Sequence, residues 1–225
     1  MSDAASRRAD AEAENRRLTS PDARYGARLR RRSSASALLG AVVDAERANL
    51  DHTLTRLQAD GTLEQAAAKV VAARRRFVLG TAKSRAHATL LHLELSASLA
   101  GVTLVDEASA IDVLSDVRPT DVLVAFSFRR YARQTITVAR EFARAGGHVV
   151  AITDAANSPL AAAGHTTVVV GTGSASFADS PTAISAVVHA LATLTAASAK
   201  GARRRLARRE ELAQALTTYS EEGDH

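Results

Sequence analysis

From residue 36 onward the apolar residues recur at three- and four-residue steps. Leu38, Leu39, Val42, Val43, Ala45, Leu50, Leu54 and Leu57 form one stripe. That period predicts an amphipathic helix, and Asp60-Gly61 ends it. A second helix, over residues 63–73, turns Ala66, Ala67, Val70 and Val71 inward. The pattern then changes. Short, continuously apolar runs at 76–79, 102–105, 122–126, 148–153 and 166–170 alternate with helical patterns at 84–100, 108–114 and 131–145 and a short turn near 159–162. Helices over 182–199 and 202–218 follow. Unbroken apolar runs suit strands covered on both faces. Five such strands with interposed helices predict an α/β fold: a three-layer αβα sandwich around a five-stranded parallel sheet with right-handed crossovers.

The first 33 residues are polar, rich in Arg, Ala, Glu and Asp, and poor in large apolar side chains. They bury too little surface to offset the entropy of ordering, so a disordered or loosely helical tail is expected. Residues 180–199 carry no Asp, Glu, Lys or Arg, but Ser, Thr and His189 interrupt the apolar positions. A buried helix fits that segment better than a bilayer span. The N-terminus is charged and lacks the apolar core of a signal peptide, so a cytoplasmic protein with no membrane partner is expected.

Composition narrows the chemistry. There is no cysteine, which excludes a disulfide framework, a thiolate metal site and a cysteine nucleophile. Aromatics make up only 4% of the chain, so the core is aliphatic and alanine-rich. The net charge is +5, and its basic excess is local. Nine Arg face five acidic residues in 1–32, and six bases lie in 200–209 without an acid. Such runs attract polyanions without reading sequence; they equally suit a solvated face in an Arg-rich chain.

In a doubly wound sheet, ligands sit beyond the carboxyl ends of the strands where strand order reverses. The segments following the predicted strands therefore matter most. Gly80-Thr81-Ala82-Lys83-Ser84 opens a helix after the first strand. Glycine, small hydroxyls and a lysine at a helix N-terminus can cradle an anion. The spacing is neither a Walker loop nor GxGxxG, and an ordinary β–α turn capped by Ser84 is the other reading. Ser127-Phe128-Arg129-Arg130-Tyr131-Ala132-Arg133-Gln134-Thr135 follows the third strand. Its guanidinium forks match phosphate oxygens; alternatively they pair with Glu94, Asp106 or Glu107, or serve an oligomer interface.

Taken in order, these stretches resemble the SIS (sugar isomerase) domain in the form found in RpiR/MurR-type regulators. The lead-in Ala48-Asn49-Leu50 through Arg76-Phe77-Val78-Leu79-Gly80 carries part of the resemblance. Asp121 to Tyr131 with Arg133 and Thr135 carries more. Ile152-Thr153-Asp154 followed by Asn157-Ser158-Pro159-Leu160-Ala161 completes it. The resemblance implies that the five strands lie in flavodoxin-like order, and that residues 74–218 are the SIS domain, 36–73 a helical lead-in used for oligomerisation, 1–35 a disordered Arg-rich tail and 219–225 a second tail. It implies a phosphosugar site built from Gly80, Thr81, Lys83, Ser84, Ser127, Arg129, Arg130 and Thr135. Ser127 falls on the first hydroxyl of the SxSGxT pattern, whose second serine, glycine and threonine are here Arg129, Arg130 and Ala132. Either the guanidinium groups replace the lost hydroxyls or they fill the pocket.

The resemblance further implies a ligand-sensing module for a phosphorylated sugar or amino sugar, acting as a homodimer or homotetramer. About 35 residues precede the lead-in, with no three-helix apolar pattern, so no helix-turn-helix is recognisable. DNA contact is then confined to weak phosphate binding by residues 1–32. The alternative is an aldose–ketose phosphosugar isomerase, which needs a general base. Asp179, His87 and Glu94 are the candidates; a ligand-free scaffold is the third reading. No His/Asp/Glu cluster has metal-ligand spacing, and no cofactor is expected.

Overall fold

The computed structural model describes residues 20–29 and 34–216. In chain order they form α1 (Pro21–Arg24), a single π-helical turn (Tyr25–Leu29), α2 (Ala35–Asp60) and α3 (Thr62–Ala72). The alternating unit follows as β1 (Arg76–Gly80), α4 (Ser84–Ser98), β2 (Val102–Val105), α5 (Ala110–Ser115) and β3 (Val122–Phe126). It continues as α6 (Arg133–Arg144), β4 (His148–Thr153), a 3-10 turn (Ala161–Ala163) and β5 (Thr166–Val169), and closes with α7 (Thr182–Ser198) and α8 (Ala202–Ala215).

All five strands run parallel in the order β2-β1-β3-β4-β5. Strand order reverses between β1 and β3, which places the crevice for a ligand between the two loops singled out above. Alternate side chains feed two cores. On one face Val78, Val124, Phe126, Ile152 and Val168 pack with Val70 of α3, Leu91 and Leu95 of α4, and Val187 and Leu191 of α7. On the other, Phe77, Leu79, Leu123 and Ala151 pack with Val138 and Phe142 of α6 and with Leu160. Burial on both faces explains why the inner strands β1, β3 and β4 read as unbroken apolar runs.

Helix limits depart from the sequence expectation by a residue or two, for local reasons. Asp106 accepts from the Ser109 amide and hydroxyl, and this closed turn delays α5 to Ala110. The Ser127 hydroxyl accepts from the Ala132 amide at 3.1 Å, which holds an extended turn before α6. Gly61 terminates α2 in the left-handed region at φ 64°.

One departure is larger. Residues 20–29 were expected within a disordered or loosely helical tail; they are helical, and they pack as a strap against the domain. Ser20 caps α1 by accepting from the Ala23 amide, with Pro21 in the first turn. Arg24 is only 4% exposed and donates to Asp179 at 2.6 Å, and Arg28 donates to the Ser176 carbonyl at 3.0 Å. The ordering energy comes from these tertiary partners, which composition does not reveal. The rest of the expected tails, at 1–19, 30–33 and 217–225, lies outside the described residues.

Among the described residues no single helix is long and apolar enough to cross a membrane. The uncharged segment forms α7, whose apolar positions are buried in the core.

Candidate functional site

The loops after β1 and β3 meet. The Thr81 and Thr135 hydroxyls lie 2.9 Å apart, and the loops open together onto a cavity of about 510 Å³. Such a volume is in the range of small-molecule sites. Of the residues singled out in the two loops, Thr81, Lys83, Ser84, Ser127, Arg129 and Arg130 line it. Gly80 and Thr135 stand behind the wall. Gly80 is required because a Cβ there would meet the Ser84 carbonyl oxygen at 2.5 Å. Thr135 is fully buried, its hydroxyl committed to Thr81.

The head of α4 differs in detail from an open anion cradle. The amides of Ser84, Arg85 and Ala86 donate to the carbonyls of Thr81, Ala82 and Lys83, and Lys83 rather than Ser84 is the cap. The amides of Ala82 and Lys83 bond to no described residue. Ala82 adopts φ 51°, the left-handed conformation where a glycine is expected. Two amides, the Ser84 hydroxyl and the positive end of a 15-residue helix remain for an anion.

In the second loop the guanidinium groups do not plug the cavity. Arg129 is anchored by Asp154, which accepts from its backbone amide at 3.3 Å and lies 3.9 Å from its Nε. Glu94, Asp106 and Glu107, the partners considered from sequence, are not used. Burial, together with Asp154, pushes the Tyr131 hydroxyl up to about 12, so it stays a neutral donor. Arg130 is exposed on the rim and forms no ion pair with a described residue. Ser158 bridges Thr153 at 2.9 Å and accepts from the Ala161 amide, so the Asp-to-Leu motif after β4 acts structurally.

The three candidate bases have different fates. Asp179 lines the cavity, and burial pushes its carboxyl above the usual range against the pull of Arg24 and Lys83. It is held by Arg24, while Lys83 Nζ donates to its carbonyl at 2.6 Å. His87 lines the cavity between Phe126 and Phe128, and burial and Lys83 hold its imidazole below the ordinary value. Glu94 lies outside the cavity wall and faces His189 at 3.7 Å. Among the described residues no group of three or more His, Asp and Glu could hold a metal ion.

Sequence reading missed Arg24, and it missed Phe128, Phe177 and Ile184 as apolar lining. The Ser20-Pro21-Asp22 start signal was present and marks a helix inside the tail. Nothing local announces that its Arg24 reaches a residue 155 positions away.

The fold and cavity define a doubly wound α/β protein with a ligand-sized pocket at the carboxyl edge of its sheet. Residues 69–194 match the family model of the SIS domain, and the chain belongs to that family. It is similar to the sugar isomerase domain of an RpiR transcription factor from Sphaerobacter thermophilus, at 28% identity and a TM-score of 0.71, over 77% of this chain and 96% of that one. Similar in fold are the Vibrio vulnificus NanR protein complexed with ManNAc-6P (17% identity, TM-score 0.67, 79% and 69% covered) and an Escherichia coli CFT073 protein in complex with A5P (16%, 0.59, 77% and 96%). No curated protein matches the sequence.

Proposed function

We propose that this chain binds a phosphorylated sugar or amino sugar and acts as a ligand-sensing module of the RpiR type. The observation that carries the reading is the meeting of the two loops at the switch point, with Ser84, Lys83 and Arg130 around one cavity. Arg24 and Arg129 are balanced by Asp179 and Asp154, whereas Arg130 has no acidic partner among the described residues, and Lys83 adds a second cation whose bond is to a carbonyl. That excess suits a phosphate dianion. Phe128, Ile184 and the half-exposed Phe177 offer apolar surface to the carbon skeleton of a sugar.

Sensing is favoured over isomerisation because Asp179 is tied to Arg24 and so is a poor free base. His87 supports the second reading: a neutral imidazole in the cavity wall is able to take a proton. Leu39, Val43 and Leu54 on α2 and Leu206 and Leu212 on α8 stay exposed, which supports a homo-oligomer in which a second copy covers them. We place the protein in the cytoplasm.

The test is thermal unfolding with N-acetylmannosamine 6-phosphate, arabinose 5-phosphate and glucose 6-phosphate. A ligand at 100 times its Kd stabilises by about 2.7 kcal/mol, and Arg130→Ala should abolish the shift. No shift with any of them at millimolar concentration overturns the reading. Turnover of a sugar phosphate that is lost in His87→Gln would establish the isomerase instead.

A further inference from the structure

One wall of the cavity is the segment between β5 and α7, which supplies Phe177, Ala178, Asp179 and Ser180. It has no regular secondary structure, and its Phe177 is half-exposed, so strand or helix packing does not fix its position. Its backbone is gripped by α2. The Asn49 side-chain amide donates to the Gly173 carbonyl at 2.6 Å and accepts from the Gly173 amide at 3.0 Å. The Thr53 hydroxyl accepts from the Gly171 amide at 2.9 Å, and the Ser180 hydroxyl donates to the Glu46 carboxylate. Positions 46, 49 and 53 share one helix face.

These polar groups are not surface decoration. Asn49 is 8% and Thr53 1% exposed, although α2 is otherwise mostly solvated. A buried amide or hydroxyl is tolerated where its bonds are satisfied, and here the satisfying groups are loop backbone. The contact is also close. A Cβ on Gly171 would lie 3.1 Å from Asn49 Oδ1 and 3.3 Å from Asn49 Cα, so the segment has little room to move unless α2 moves too. No residue from 35 to 45 is buried, so the first part of α2 projects beyond this grip.

We propose that Glu46, Asn49 and Thr53 are positioning residues that set the β5–α7 wall for the ligand, and that they couple pocket occupancy to the placement of α2. The proposal rests on the phosphosugar reading. Coupling of this kind is reciprocal: whatever restrains α2 changes ligand affinity by the same factor by which ligand restrains α2.

The experiment uses the full chain and N-acetylmannosamine 6-phosphate, read by calorimetry beside thermal unfolding. Asn49→Ala and Thr53→Val should weaken binding about tenfold, equal to about 1.4 kcal/mol, while Thr53→Ser retains it. Leu50→Ala, which removes a partly buried core contact from the same helix, should lower Tm and leave affinity unchanged. Without ligand, hydrogen exchange at the Gly171 and Gly173 amides should accelerate in the first two variants. Because the chain has no cysteine, spin labels at Ala48→Cys, exposed on the side of α2 away from Leu39, and Leu93→Cys, exposed on α4, report α2 against α4. Their distance distribution should shift on ligand addition and cease to shift in Asn49→Ala. Unchanged affinity in Asn49→Ala and Thr53→Val overturns the coupling and leaves the phosphosugar reading standing. If the unsubstituted chain binds none of the sugar phosphates while Gly171 and Gly173 stay protected, the phosphosugar reading fails, and the coupling with it.

Discussion

Ala82 holds a conformation that suits glycine. At φ 51° its Cβ crowds the following carbonyl, a strain of about 1 kcal/mol. Ala82→Gly should therefore raise stability by about 1 kcal/mol in urea unfolding, less the extra backbone entropy glycine loses on folding. A lower midpoint would show that the strain is relieved elsewhere. The hydroxyls and cations of both loops were legible from residue type and from their place after a strand. Their partners were not. Arg129 was weighed against Glu94, Asp106 and Glu107, yet Asp154 holds it, because the β3–β4 pairing brings a later loop alongside. Sequence distance carries no information about that neighbour, and Asp154 was visible only as part of a motif.

Elements were readable where periodicity was strong and tertiary context weak. The strand order came with the family resemblance, and the five strands and the long helices came from apolar spacing alone. The strap at 20–29 did not, because it is tied down by polar contacts that include those of Arg24 and Arg28 rather than by an apolar stripe. Arg24→Ala removes the better of these and should speed trypsin cleavage after Arg28 while the sheet domain resists; an unchanged cleavage rate would mean the strap is held by something else. Between β4 and β5, His148 and His165 stack with centroids 4.9 Å apart. Burial first, then His165 and Lys69, hold the His148 imidazole below its ordinary value. The unfolded chain therefore takes up protons before the folded one, so this contribution is complete above about pH 6.5 and lost as pH falls below it. His87 acts in the same direction. Urea midpoints at pH 7.5 and pH 5 should differ, and His148→Gln should narrow the gap.

For the molecule as a whole, the topology opens a crevice at the carboxyl ends of β1 and β3, where strand order reverses, before any side chain is considered. The opposite end of the sheet is built for stability. Asp121, whose side chain is fully buried, accepts from Arg75 at 2.6 Å and from the Arg118 amide at 2.8 Å. Burial alone would push its carboxyl up, but these bonds hold it below the usual carboxylate range. That contribution is present above about pH 3.8 and is lost as pH falls through the folded value. Arg75→Ala strands a buried carboxylate and should cost about 3 kcal/mol in urea unfolding; a cost under about 1 kcal/mol would show that solvent reaches Asp121.

The Arg75–Asp121 contact has a consequence for how the chain finds its arrangement. Because β3 is apolar on both sides, sliding it by one residue against β1 would still leave oily side chains covered, so greasiness alone does not choose the alignment. A charged group that is content at only one depth does choose. Asp121 serves as a stop that seats the central strand against β1, because sliding that pair by one residue lengthens the reach from Arg75 to its carboxylate by about 3.3 Å.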